Sequence, residues 1–388
     1  MKRLKQQLYA DPIPVDLLIE IFSRLPRKSI DRFRCVSKFW GCILRRPDFT
    51  ELFLTKSSTR PRLFFTVKAD GKLFFYSSPQ PQNPNDSSTL LATRYHASFP
   101  EYFPSDTCST VYGLALLQHY NGKLRVICNP ITGEFLTLPK LLLKNKNEVK
   151  AKGKSNHTTR ERIAIISLGY DPINKQFKVL CMTSSLDERP NTYQVLTLES
   201  GKRLWRKMEC KFHFSFMRNS RVGNEICING VLYLGATIGK SSVIVCFDVR
   251  SEEFGFINLD KGMSGQYSDS YVCGHLTLFN YKGKLGIRDN TGRDEELVLW
   301  VIEDAQSHKW FKQTYKLPRL AHFRDFHFVG MTGTGEIVWS SYNIISSVYL
   351  YNLERKTFTR VNIQGFEELE ERHTIHTFVD YVENLKLM

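Results

Sequence analysis

The sequence lacks long apolar runs. None of its segments approaches the roughly 18 consecutive apolar residues that a membrane-spanning helix needs. The opening residues 1–12, MKRLKQQLYADP, hold no apolar core of the kind found in a secretory leader. We therefore expect no membrane partner and a location in the cytoplasm, the nucleus or both.

Cysteine motifs are also missing. The nine cysteines stand at positions 35, 42, 108, 128, 181, 210, 227, 246 and 273, and no two of them form a CxxC pair. Their number is odd, and several lie inside apolar runs such as VIVCFDV, residues 243–249. We interpret them as buried free thiols of a protein in a reducing compartment.

Motifs of catalysis are scarce as well. A hydrolytic or oxidative enzyme would show paired carboxylates, a metal or a covalent cofactor beside apolar strands. Asp171 and Asp248 stand in or next to turn sequences, where bonding of the Asp side chain to its own turn accounts for them. The segment GTGEIV, from residue 333, lacks the Lys and the spacing of a phosphate-binding loop. The sequence predicts a chain that is not an enzyme and holds no cofactor.

Two histidine pairs are the nearest approach to a metal motif. His322 and His327 flank FRDF, and His373 and His376 form an HxxH in a stretch with helical potential. A metal ion would need a third ligand of matching geometry, and neither pair has one marked nearby. We expect no metal site.

Acidic residues are outnumbered, and most strongly at the start of the chain. The 54 Lys and Arg against 39 Asp and Glu give a net charge of +15. Residues 1–62 hold fourteen of the basic and six of the acidic residues, so +8 of that charge lies there and +7 in the other 326 residues. Such a segment suits an acidic protein surface or a nucleic acid, and solubility alone is the simpler explanation.

The most informative stretch is IPVDLLIEIFSRLP, residues 13–26. Pro14 suits the first turn of a helix and Pro26 forbids its continuation, so a short, bounded helix is predicted. At about 100° per residue the apolar positions cover an arc of roughly 200°, about twice the usual stripe. These positions are Leu17, Ile21, Leu25, Leu18, Phe22, Val15 and Ile19.

Two more short helices are predicted after it. Ser29 is expected to cap a helix over residues 30–36, and Ser37 a helix over residues 38–45. A three-helix bundle of about 40 residues is near the lower limit for independent folding, and its inner face uses about half of the first helix's apolar arc. The other half predicts a docking surface for another chain. The alternative is that the downstream domain covers it.

The rest of the chain has the pattern of a β-protein. From Leu63 onward, apolar or alternating runs of four to seven residues are separated by turn dipeptides. The turns recur every 50 to 58 residues, at Asp70-Gly71, Asn121-Gly122, Asp171-Pro172, Asn229-Gly230, Lys282-Gly283 and Thr334-Gly335. This period predicts a propeller of six blades, kelch-like in length, with a β-sandwich pair as the alternative. Closure would pair RLFFTV, near residue 65, with the C-terminal HTFVDYVENLKLM.

The N-terminal segment resembles a known module. IPVDLLIEIFSRLPRKSIDRFRCVSKFWGCIL, residues 13–44, is similar to the F-box, the adaptor-binding module of substrate receptors in cullin-RING ubiquitin ligases, and residues 45–65 resemble its continuation in plant F-box proteins. The resemblance implies that the helices bind an acidic Skp-family adaptor and, through it, a cullin and a RING protein. It also implies a set of adaptor contacts or supports, which the sequence does not divide into outward and inward: Pro14, Leu17, Leu18, Ile21, Leu25, Pro26, Val36 and Trp40.

The resemblance continues over the β-region. Six ordered blocks are similar to the type-three F-box associated domain of plants: ICNPITGEFLTLP at 127, LGYDPINKQFKVL at 168, ICINGVLYLGA at 226, IVCFDVRSEEFGFI at 244, LVLWVIEDAQSHKW at 297 and FVGMTGTGEIV at 328. The family implies that this domain recognises the protein to be ubiquitinated, and it leaves the substrate-contact residues unknown. We expect an α+β multidomain protein with a tail over 1–10, a three-helix F-box over 11–56 and a mainly-β propeller domain over 60–388.

Two other functions stay open. Residues 140–162 hold eight Lys and Arg against two Glu, and we expect a mobile insertion between blades. A basic RNA-binding propeller using this loop is the first alternative to a substrate receptor of an SCF-type ligase, although a solvated loop is the simpler explanation. A propeller enzyme with an unrecognised site is the second.

Overall fold

Helices come first along the chain and strands follow. In a computed structural model, the described residues are 13–69, 72–81, 88–100, 107–118, 124–141, 163–184, 191–199, 203–216, 225–263, 276–290, 296–318, 326–342, 346–366, 369 and 374–386. The α-helices are α1 (Val15–Ser23), α2 (Arg27–Val36), α3 (Lys38–Ile43) and α4 (Pro47–Ser58). A short 3-10 helix spans Lys261–Met263.

The strands form six sheets, each the blade of a propeller. Blade 1 contains β1 (Arg62–Ala69), β2 (Lys72–Pro79) and β4 (Thr93–Pro100), with β26 (Thr374–Tyr381) as its innermost strand. Blade 2 contains, from the inside outward, β5 (Thr107–Val111), β6 (Leu114–Gln118), β7 (Arg125–Cys128) and β8 (Phe135–Thr137). Blade 3 contains β9 (Ile163–Asp171), β10 (Gln176–Ser184), β11 (Thr192–Thr197) and β12 (Arg206–Met208).

The second half of the chain supplies the other three blades. Blade 4 contains β14 (Glu225–Ile228) and β13 (Ser215–Phe216), both paired with β15 (Val231–Ile238), then β16 (Ser241–Asp248) and β17 (Phe254–Asn258). Blade 5 contains β18 (Leu276–Tyr281), β19 (Lys284–Asp289), β20 (Glu296–Asp304) and β21 (Lys309–Lys316). Blade 6 contains β22 (Phe326–Met331), β23 (Glu336–Ser341), β24 (Ser347–Asn352) and β25 (Thr357–Gln364), to which β3 (Thr89–Leu91) adds a parallel edge strand.

The ring closes as the sequence predicted. The strand β26, from the C-terminal region, pairs antiparallel with β1, with Phe64 opposite Phe378 and Val67 opposite Ile375. Six buried apolar clusters then fill the gaps between neighbouring blades around the ring. Each blade has two apolar faces, so burial between blades is what stabilises the closed series. The six-bladed propeller is confirmed, and the β-sandwich alternative is wrong.

The conformations of the turns explain why glycine-containing dipeptides recur about every 50 residues in the sequence. Both residues have positive φ in Asn229-Gly230 (50° and 85°) and in Lys282-Gly283 (48° and 86°), as a two-residue turn between twisted strands requires. Tyr112-Gly113 has the same conformation (44° and 84°) without a predicted turn signal. The predicted turns Asp171-Pro172 and Thr334-Gly335 also join paired strands. Asp70-Gly71 and Asn121-Gly122 lie outside the described residues.

Two helix predictions need correction. Ser37 caps α3 as expected, since its Oγ accepts a hydrogen bond from the Trp40 N–H at 3.1 Å, but α3 ends at Ile43. Ser29 does not cap α2. The helix begins at Arg27, with Pro26 in an extended conformation just before it, and the Pro26 carbonyl accepts the N–H of Ser29 at 2.9 Å. Proline is well placed to begin a helix because its own missing N–H costs no hydrogen bond there.

Two further expectations were wrong. The HxxH stretch is not helical, because His376 lies on β26, where pairing with β1 decides the conformation; His373 lies outside the described residues. Among the eight cysteines that the structure describes, Cys108, Cys128 and Cys181 are buried, whereas Cys35 and Cys42 are exposed on the helices. The prediction of burial holds for Cys108, Cys128 and Cys181, holds in part for Cys227 and Cys246, which are half-buried on strands, and is wrong for the two helix cysteines.

Candidate functional site: the helices and the propeller axis

The apolar arc of α1 is divided between two environments. Leu18 and Phe22 are buried, at 4 and 2 % exposure, on the side that packs against the other helices and the propeller. Leu17 and Ile21 are 56 and 48 % exposed on the other side, one helical turn apart. Ile13, just before the N-cap residue Pro14, is also 51 % exposed. We call Ile13, Leu17 and Ile21 the α1 face.

The other predicted site residues are spread over the three helices. Pro14 and Pro26 are exposed at the starts of α1 and α2, and Leu25 is half-buried. Val36 is exposed at the last position of α2. Trp40 is half-buried, with its ring 5.2 Å from Phe22 and 5.4 Å from Phe33, so it joins α3 to the other two helices.

One exposed apolar residue was missing from the predicted set. Phe39 on α3 is 54 % exposed, next to the half-buried Trp40. Consecutive helical residues point about 100° apart, and here the Trp40 ring packs inward on Phe22 while Phe39 faces outward. That geometry was the available signal. Val36 and Phe39 thus add two large apolar side chains to the exposed surface of the helices.

The charge beside these residues is positive. Lys28, Arg32 and Lys38 on α2 and α3 are exposed. The carboxylate of Asp31 is held by Arg27 at 2.8 Å and lies 3.6 Å from Arg34, so α2 presents little free negative charge. Burial lowers the pKa of Arg34. An acidic partner would meet a cationic surface here.

The helices are fixed on the propeller by a helix that the sequence analysis did not predict. On α4, Phe49 and Phe53 are fully buried in the cluster that also contains Phe64, Phe75 and Tyr381 of blade 1. Burying two phenylalanines contributes roughly 1.5 to 3 kcal/mol each. Among the buried clusters of the described residues, the one between blades 1 and 2 is the one that contains residues of the α-helices, so it joins the helices to the propeller.

Polar contacts reinforce this joint. Arg60 donates to the carbonyls of Ser23 (3.1 Å) and Arg24 (2.9 Å) at the end of α1. Arg27 donates to the Ile131 carbonyl in the turn after β7, and Lys175, in the turn after β9, pairs with Glu51 on α4. The α1 face therefore has a fixed orientation relative to the blades.

The predicted turn carboxylates have the expected partners. Asp171 Oδ1 accepts the N–H of Ile173 at 2.9 Å, and Asp248 Oδ1 accepts the N–H of Arg250 at 2.9 Å. Within the described part of the chain, no three or more His, Cys, Asp and Glu side chains are grouped so that they could hold a metal ion. None of the helices there is long and apolar enough to cross a membrane.

Polar side chains do meet around the propeller axis, in two groups. Ser167 on β9 donates a hydrogen bond to Glu225 on β14, and burial raises the pKa of that carboxyl. On the other side, Arg288, His327, Tyr342 and His376 come together from blades 5, 6 and 1. The predicted His322 partner of His327 lies outside the described residues, as do residues 142–162 of the basic loop.

Comparison with known proteins gives a consistent result. Residues 62–382 match the model of the F-box associated beta propeller domain, and residues 12–52 match the model of the F-box domain. An F-box protein of Arabidopsis thaliana is 45 % identical over 393 residues, covering 97 % of this chain and 82 % of the relative. F-box protein DOR of the same plant is 41 % identical over 400 residues, covering 97 and 94 %. Among solved structures, the Dos1 propeller covers 77 % of this chain and 69 % of its own, with 13 % identity and a TM-score of 0.37, too low to carry an argument.

Proposed function

This chain belongs to the F-box proteins that carry an F-box associated β-propeller domain, and on that premise we propose that it is the substrate-binding subunit of an SCF-type cullin-RING ubiquitin ligase. Its helices dock on a Skp-family adaptor, which links it to the cullin and the RING protein. Its propeller binds the protein to be ubiquitinated. The subunit is non-catalytic and accelerates transfer by holding the target near the charged conjugating enzyme. It acts in the cytoplasm, the nucleus or both.

The observation that carries the proposal is the exposure of the α1 face. The propeller and α4 cover one side of α1 and leave Leu17 and Ile21 about half exposed on the other. Leaving such side chains in water forgoes roughly 1.5 to 3 kcal/mol each relative to full burial, so a partner that covers them gains that free energy on binding.

Two further features support an acidic adaptor. Val36 and Phe39 extend the exposed apolar surface onto α2 and α3. Lys28, Arg32 and Lys38, exposed on the same two helices, add positive charge, which favours association with an acidic surface and raises its rate. The combination of an apolar centre and a charged rim is typical of specific protein interfaces.

The rigid joint between helices and propeller defines the propeller's part in the proposal. Because α4 and the blades share one core, a target bound to the propeller keeps a fixed position relative to the adaptor. A fixed position limits which target lysines reach the conjugating enzyme, and proximity then acts at those lysines.

The proposal is tested with the double variant Leu17→Lys/Ile21→Lys of the full chain, co-expressed with a tagged Skp-family adaptor. We expect loss of co-purification and at least a hundredfold weaker binding by calorimetric titration, because two lysines replace two apolar contacts. Leu18 is avoided because it is buried, and a charge there would unfold the helices.

A matched control separates docking from general surface effects. Leu204 and Phe311 are exposed apolar residues on the propeller, so Leu204→Lys/Phe311→Lys makes the same chemical change away from the helices. This control should bind the adaptor with wild-type affinity. Adaptor binding that persists in Leu17→Lys/Ile21→Lys would refute the proposal. Equal loss of binding in the control would refute it as well.

A further inference from the structure

The side chains around the propeller axis include a cation, Arg288, that forms no salt bridge with any residue the structure describes. Arg288 lies next to the end of β19, and its guanidinium carbon is 4.4 Å from the ring centre of Trp339 and 5.3 Å from that of Phe328. Its Nε is buried and, within the described part of the chain, has no hydrogen-bond partner. Asp289 follows it in the strand and favours its charged form electrostatically, but consecutive strand residues point to opposite faces of the sheet, so the two side chains do not meet as a hydrogen-bonded pair.

Two histidines and a tyrosine stand beside this cation. Tyr342 stacks on His327 with ring centres 3.8 Å apart, and the ring of His376 meets Tyr342 edge-on at 5.6 Å. The Nδ1 of His327 is buried and has no hydrogen-bond partner among the residues described. We call Arg288, His327, Phe328, Trp339, Tyr342 and His376 the Arg288 cluster.

The protonation states of the cluster follow from its burial. Burial, with His376 and Arg288 nearby, lowers the pKa of His327 to about 4, and burial lowers the pKa of His376 as well. Both imidazoles are neutral at pH 7. Burial lowers the pKa of Arg288 to about 10, which leaves the guanidinium charged. One fixed positive charge therefore stands among neutral rings that can donate or accept hydrogen bonds.

The cluster lies at the end of the propeller opposite the helices. Every innermost strand runs in one direction along the axis, and the helices contact the end where these strands finish, at Tyr381 of β26 and in the turns at Ile131 and Lys175. His327 and His376 stand near the starts of β22 and β26. Arg288 and Tyr342 stand at the ends of β19 and β23, which run back to that starting end.

We propose that the Arg288 cluster binds one anionic group of the target protein, either a carboxylate or a phosphate, in the full-length chain. The inference rests on the proposed function in taking the propeller as the target-binding domain. A planar guanidinium presents paired N–H donors that match the two oxygens of a carboxylate or phosphate.

The position of the cluster fits this role. A ligand at the starting end of the innermost strands stays clear of α1–α3, so target and adaptor occupy opposite ends of the molecule.

The experiment uses three immobilised peptide libraries of eleven residues, degenerate except for a central phosphoserine, glutamate or glutamine. The full chain is passed over each library with and without its adaptor. We expect at least tenfold greater retention on the phosphoserine or the glutamate library than on the glutamine library, and the preferred library identifies the source of the anion.

Variants assign the effect to the cluster. Arg288→Gln should reduce retention to the glutamine level, and Arg288→Lys, which keeps the charge but not the planar donors, should retain an intermediate amount. Glu225→Gln, across the axis, should retain wild-type preference. Equal retention on all three libraries, or a preference unchanged in a folded Arg288→Gln protein, would overturn the inference.

The outcome is separable from that of the adaptor test. Leu17→Lys/Ile21→Lys should lose the adaptor and keep the peptide preference, because the two surfaces lie at opposite ends. A chain that prefers anionic peptides but never binds the adaptor would preserve this inference and refute the proposed function.

Discussion

The backbone N–H of Glu383 donates a hydrogen bond of 2.8 Å to the Oγ of Ser57, which ties the segment after the closing strand to α4. Glu383 in turn accepts a bond of 2.9 Å from the hydroxyl of Tyr95, a residue of blade 1 whose burial raises its pKa. The same short segment thus closes the propeller and attaches the helices to it.

Removing a buried ring of α4 should weaken the whole molecule. Phe53 is 1 % exposed in the core shared with blade 1, so Phe53→Ala should lower the free energy of unfolding by about 3 to 5 kcal/mol. Denaturant unfolding of the full chain measures this. Thr55→Ala, at an exposed position of the same helix, should change it by less than about 0.5 kcal/mol. A loss below about 1 kcal/mol for Phe53→Ala would contradict the shared core.

Alanine substitutions of the consecutive residues Leu17 and Leu18 should affect different properties, adaptor binding for Leu17 and stability for Leu18. Leu18→Ala should cost about 2 to 5 kcal/mol of stability because it leaves a cavity. Leu17→Ala should leave stability within about 0.5 kcal/mol and weaken adaptor binding by about 1 kcal/mol or more. Unfolding curves and adaptor titration of both variants check this. Similar effects of the two changes on stability would show that α1 is not divided as described.

Position 113, in the turn between β5 and β6, should accept glycine alone. Gly113 has φ 84°, and a Cβ there would lie 2.5 Å from the Asn384 Cβ and 2.6 Å from the Val382 carbonyl oxygen. Gly113→Ala should therefore cost at least about 2 kcal/mol. Gly239→Ala is the control, since φ is 61° but nothing lies within 4 Å, and backbone strain alone costs about 1 kcal/mol. Equal losses of thermal stability in the two variants would rule out close packing against residues 382–384.

Stability should decline on mild acidification because of His327. Its pKa is about 4 in the folded protein and near the ordinary 6.5 in the unfolded chain, so the unfolded state takes up the proton first. The contribution of the neutral imidazole to the free energy of unfolding is present in full above pH 6.5 and decreases as the pH falls toward 4. Between pH 7.5 and 5 the wild type should lose about 2 kcal/mol more than His327→Gln. Parallel pH dependence of the two proteins in denaturant titrations would contradict the buried, neutral imidazole.

Much of the architecture was predictable because it depends on local sequence patterns. Pro14 and Pro26 bracket α1 since proline acts on its own turn, and Asn229-Gly230 marks a hairpin because both residues accept positive φ. The match between RLFFTV and the C-terminal strand was predictable because a closed ring needs a partner for its first strand. The helix α4 was missed, although Pro47 at its first position and the buried Phe49 and Phe53, four residues apart, were local signals for it.

The sequence alone determined that α1 has too much apolar surface for its own bundle, that strands recur about every 50 residues and that the N-terminal segment is basic. The tertiary structure alone decided which half of α1 is covered, since α4 and blade 1 occupy one side and leave the α1 face exposed. It also assembled Arg288, His327, Tyr342 and His376 from strands of three blades. Periodicity reports which face of one element is apolar, whereas contacts between distant residues depend on the register and closure of the whole ring.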